Sequence, residues 1–131
     1  MEKRYSAKIT EFNSITGKEL SAKEKIMFKD VSGTIPLGEL KEGESITFKP
    51  EMYGVLDIHN EDSENKDYKV IVIIDTDGKK YTTSSENFYD TFTNLMDELA
   101  DFEEDEDYAI KVFTKPSKNY KGKEFLTCAV I

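Results

Sequence analysis

YAIKVFTKPSKNYKGKEFLTCAVI (Tyr108–Ile131) reads as a β-hairpin. Two apolar arms, YAIKVF and FLTCAVI, are rich in β-branched and aromatic residues and flank a loop of Pro, Ser, Asn and Gly. The loop and its shoulders carry Lys111, Lys115, Lys118, Lys121 and Lys123 against one acid, Glu124, with Phe113 and Tyr120 among them. A cationic hairpin carrying aromatic rings can stack bases while neutralising phosphates.

Upstream, Ser84-Ser85 followed by acids marks a helix start. Phe88, Phe92, Leu95, Met96, Leu99 and Phe102 then recur at spacings of three and four, which gives one apolar face. Before the helix, Asp77-Gly78 predicts a tight hairpin between YKVIVIID (Tyr68–Asp75) and KKYTTS (Lys79–Ser84). The nearly continuous apolar run in the first of these strands predicts cover on both faces. Asn60–Asp67 is a polar loop. Ile46–His59, ITFKPEMYGVLDIH, reads as one long strand broken near Pro50, with Gly54 permitting a bend or bulge.

The order strand, strand, strand, helix, strand, strand predicts a mainly β protein with one helix. It is the element order of a five-stranded OB-fold Greek-key barrel with its helix between strands 3 and 4. In that fold the second and third strands and the first and last hairpin loops bind oligonucleotides; here those loops are Asn60–Asp67 and Thr114–Lys123. Residues 1–131 are expected to form one domain, with residues 44–131 the barrel and residues 1–43 an N-terminal extension. Within the extension, Ile9, Phe12 and Ile15 suggest a strand or turn, and Glu19–Phe28 fits either a short helix or an irregular strand. Lys23, Lys25 and Lys29 extend the basic surface.

Composition bounds the function. No apolar run approaches the ~20 residues of a transmembrane helix, and MEKRYSAKITEF lacks the apolar core of a signal peptide. The single cysteine, Cys128, has no internal disulfide partner, in keeping with a reducing cytoplasm. A net charge of −9 argues against a nucleic-acid partner, but Asp97–Asp107 (DELADFEEDED) alone holds 8 acids and no base. The rest of the chain carries 18 basic and 19 acidic residues, and charges a Debye length of about 10 Å apart are largely independent.

Four segments carry a family resemblance: FKDV (residues 28–31), DTDGKKYTTSS (75–85), NFYDTFTNLMDEL (87–99) and KVFTKPSKNYKGKEFLTCAVI (111–131). With them the chain resembles the single-stranded DNA-binding proteins of small tailed phages that replicate linear DNA by protein priming. The DELADFEEDED block and the longer first loop depart from the pattern. The resemblance implies sequence-tolerant coating and protection of displaced single strands during bacteriophage replication in the host cytoplasm. The partners it suggests are single-stranded DNA, replication proteins and further copies along the strand, with no membrane.

The residues themselves nominate Tyr53, Tyr81, Phe113 and Tyr120 as base-stacking rings and Lys69, Lys79, Lys80, Lys115, Lys118, Lys121 and Lys123 as phosphate contacts. Each has a structural alternative. Tyr53 and Tyr81 suit half-buried strand positions, Phe113 changes face with one residue of register, and edge lysines keep hairpins soluble. Catalysis finds little support, since His59 and Cys128 are the sole residues of their types and supply neither a nucleophile pair nor a zinc site. Asp75-Thr76-Asp77-Gly78 lacks the carboxylates a calcium loop needs at its ends. No cofactor is expected. A second reading remains, an acidic nucleic-acid mimic that would use Asp97–Asp107 to inhibit a host nucleic-acid-binding enzyme.

Overall fold

Pro50 lacks a backbone N–H and interrupts the longest strand-forming run, so that residues 45–60 serve two sheets. In the computed structural model, which describes residues 4–101, 107–117 and 123–131, strand β3 (Ser45–Phe48) stops one residue before β4 (Pro50–Asn60). The other strands are β1 (Tyr5–Ser14), β2 (Ile35–Pro36), β5 (Asp67–Asp75), β6 (Lys80–Thr83), β7 (Ile110–Pro116) and β8 (Glu124–Val130). The helices are α1 (Ala22–Lys29) and α2 (Glu86–Asp101), with a single 3-10 turn at Leu37–Glu39. One open sheet has the order β1-β4-β5-β6-β2 and the other β3-β7-β8. Mainly β is the outcome the sequence predicts, but the described residues hold two α-helices and eight strands rather than one helix and five strands. The chain divides into two compact units, residues 1–35 with 50–84 and residues 36–49 with 85–131.

In the first unit β1 lies antiparallel along β4, pairing Tyr5 with Asn60 through Ser14 with Met52. Residues expected to be an extension therefore supply an edge strand. Its register slips between Ile9 and Glu11, opposite Leu56 and Val55. There the backbones approach so closely that a Cβ on Gly54 would sit 2.2 Å from the Glu11 carbonyl oxygen, so only glycine fits. Helix α1 is the second helix, and its start is a capping box. The Ser21 hydroxyl accepts from the Glu24 N–H at 3.2 Å, and the Glu24 carboxylate accepts from the Ser21 N–H at 3.2 Å. Phe28 turns inward to meet Phe12 edge-on at 5.4 Å and joins Met52, Leu56, Ile58 and Val72 in the core. The opposite face of β4 and β5 is buried too, through Val55, Ile71 and Ile73, which accounts for the unbroken apolar run of β5. The β5–β6 turn closes with the Gly78 N–H donating to the Asp75 carbonyl at 3.0 Å, and Gly78 takes φ +85°, as the Asp-Gly pair predicts.

In the second unit, the Ser85 hydroxyl caps α2 by accepting from the Phe88 N–H at 3.2 Å. Phe88, Phe92 and Met96 are buried, and α2 packs against β8. Ile110, Val112 and Cys128 line the buried face of the β3-β7-β8 sheet together with Phe48. Burial pushes the Cys128 thiol up to about 11, which leaves it an inert core residue at neutral pH.

Candidate nucleic-acid interface

Strand alternation leaves one face of the β3-β7-β8 sheet open. Opposite in phase to buried Ile110 and Val112 stand Lys111, Phe113 and Lys115 on β7. Their cross-strand partners on β8 are Ala129, Thr127 and Phe125, and on β3 Thr47 and Ser45 face Lys111 and Phe113. None of these eight side chains is acidic. The ammonium groups of Lys111 and Lys115 both lie 5.7 Å from the centre of the Phe113 ring, one on each side along the strand. Phe125, 45% exposed, stands directly across from Lys115 and diagonally from Phe113. Diagonal neighbours lie roughly 7–8 Å apart, within reach of one another's rings. At the far end, Lys49 pairs with Asp107 at 3.1 Å and sits over the Tyr108 ring at 5.3 Å.

Lys123 begins β8's approach, and its carbonyl accepts from the Ser117 N–H at 2.8 Å, which ties the hairpin arms at the base of the tip. Lys118, Tyr120 and Lys121 lie outside the described residues. Phe125 was not among the residues the sequence nominated. Its signal was available: it lies two residues before Thr127 on the same strand phase that brings Phe113 to the surface.

The remaining nominated residues belong to the first unit. Tyr53 and Tyr81 flank Ile73 in one cross-strand row, 7% and 4% exposed. Stacking by either ring requires that row to be uncovered. The Tyr81 hydroxyl donates to Asp75 Oδ2 at 2.9 Å, while Oδ1 accepts from the backbone N–H groups of Asp77 and Lys79, each at 2.9 Å. Burial first, then the Asp75 carboxylate, pushes the Tyr81 phenol up to about 12. Lys80 donates to the carbonyls of Met27 and Asp30 at 2.5 and 2.8 Å, and burial lowers its pKa. Lys79 is exposed in the turn. Lys69 is exposed on β5, across from Asp57. The sequence thus found the hairpin that holds the open aromatic face, while the lysines and tyrosines of β4–β6 are spread between a buried row, a turn and a helix end.

Among the described residues no cluster of His, Cys, Asp and Glu has the arrangement of a metal site, and no helix is long and apolar enough to cross a membrane. Residues 5–130 match the family model described as Phage Single-stranded DNA-binding protein. No curated protein and no solved structure matches the chain.

Proposed function

Since the chain belongs to the family of phage single-stranded DNA-binding proteins, and so binds single-stranded DNA in phage replication, we propose that the open face of the β3-β7-β8 sheet is where it holds the strand. Bases stack on Phe113 and Phe125, and Lys111, Lys115 and Lys123 neutralise the phosphates between them. The observation that carries this reading is the placement of two lysine ammonium groups 5.7 Å from an outward-facing ring, among eight cross-strand side chains that include no carboxylate. Rings offer a π-face to every base, so the coating is tolerant of sequence and involves no catalytic step. Serine and threonine hydroxyls at 45, 47 and 127 give the face hydrogen-bonding groups for phosphate or sugar.

The sequence nominates Lys118, Tyr120 and Lys121 as further contacts for the same strand. We read residues 1–131 as one binding domain of OB type, acting in the host cytoplasm. The element order from Ser45 to Val130, and the sharing of residues 45–60 between two sheets, support the fold assignment. Contacts between copies belong to the same proposal: β1 and β8 each end a sheet, and an edge strand offers a free ladder.

Titration with poly(dT) and poly(dA), followed by tyrosine emission in a chain without tryptophan, tests the proposal. Affinities within a few-fold of each other, with log K falling by about 0.7 per phosphate-bound lysine against log salt, are expected. No binding at low salt overturns it.

A further inference from the structure

A second cationic surface lies in the first unit. Between β1 and α1 runs a cleft of about 550 Å³, within the roughly 300–1,000 Å³ of small-ligand sites. Its floor is apolar, made of Ala7, Ile9, Phe12 and Leu20. Lys25 and Lys29, one helical turn apart, rise from α1, while Lys8 borders the cleft from the strand phase opposite Ala7 and Ile9, across from Asp57. Among the described residues these three lysines form no ion pair. The other cation at the rim, Lys18, is held by Glu24 at 2.6 Å, a hydrogen bond that leads in drawing the Glu24 carboxyl down to about 2. Glu19 is the one carboxylate lining the cleft.

Two ammonium groups without an ion pair, those of Lys25 and Lys29, beside an apolar floor favour a ligand that is anionic at its edge and flat and apolar in its body. A nucleotide unit of a single strand has that chemistry. Resting on the reading that this chain binds single strands, we infer that the β1–α1 cleft is a second contact for the strand. Phosphates sit on Lys25 and Lys29, and a base lies over the floor formed by Ile9, Phe12 and Leu20. The site uses none of the residues of the aromatic face of β7 and β8.

Lysine acetylation of the full chain, with and without saturating poly(dT) at low salt and read by mass spectrometry, tests this. The expected result is slower modification of Lys25 and Lys29 in the bound state. In a Lys25→Gln/Lys29→Gln variant, the salt slope should be shallower by about 0.7 for each phosphate contact removed. Quenching of tyrosine emission by poly(dT) with unchanged modification at these two lysines overturns the inference while leaving single-strand binding intact. No quenching at all overturns the proposed function instead. Protection that grows with protein concentration in the absence of DNA would place a second copy in the cleft, and it too overturns the inference.

Discussion

Asp75 is the residue whose surroundings say most about what its neighbours can do. The residue is 3% exposed, and its carboxylate accepts from two backbone N–H groups and the Tyr81 hydroxyl, so Tyr81 acts as a strut for the β5–β6 turn. Tyr81→Phe leaves one carboxylate oxygen without its phenolic donor, which costs roughly 1–3 kcal/mol. Urea unfolding should show the midpoint falling accordingly, and an unchanged midpoint contradicts the strut. A tyrosine beside two lysines reads in sequence as a surface stacker, because nothing local reveals where its hydroxyl points. Phe125 shows the reverse: inside the arm FLTCAVI it reads as core, and the cross-strand register is what places it outside, opposite Lys115.

Among the elements, the most legible were those with a strong local signal. Helix α2 followed from its apolar spacing, the β5–β6 turn from Asp77-Gly78, and the break in the long strand from Pro50. Helix α1 was left between helix and strand because its apolar residues are not gathered on one face: Phe28 is buried while Ile26 and Met27 are exposed. The structure resolves the choice with a capping box between Ser21 and Glu24.

The β4–β5 hairpin carries a charge cluster that makes its end sensitive to pH. His59 Nδ1 lies 2.8 Å from Asp67 and Nε2 lies 2.7 Å from Glu61, so both ring nitrogens can donate only as the imidazolium. The Asp67 hydrogen bond first, and then Glu61, raise the His59 pKa above its ordinary 6.5. A raised pKa stabilises the fold fully below the unfolded value, and that contribution is lost as pH rises through the folded value. Glu61, lowered from 4.5 by His59 and Lys66, has the opposite sign, contributing above its unfolded value and losing that contribution in acid. The cluster therefore acts most strongly between about pH 4.5 and 6.5. Thermal unfolding of His59→Gln should fall below the parent near pH 5.5 and match it near pH 9. An equal gap at both values would show that the charge plays no part.

For the whole molecule, the net charge of −9 conceals a division of labour. Acids gather at the end of α2, while the lysines of β7 surround outward rings and those of α1 border an apolar cleft. The acidic block and the lysine hairpin were visible in sequence because each is local. The pairing of β1 with β4 was not, since it joins residues 38 to 55 positions apart and depends on a bulge and on Gly54. The lysine cleft was hidden for the same reason, as β1 and α1 form its walls only after the chain has folded.

The central claim is that an aromatic face on β7 and β8, flanked by lysines, holds the single strand. The most direct measurement compares poly(dT) affinity of Phe113→Ala and Phe125→Ala with that of the parent, followed by tyrosine emission across a range of salt. Each substitution should weaken binding by about 1–3 kcal/mol, or roughly five- to 150-fold, with the salt slope kept because the lysines remain. Parent-like affinity in both variants, with folding intact, would contradict the claim and move the strand to another face.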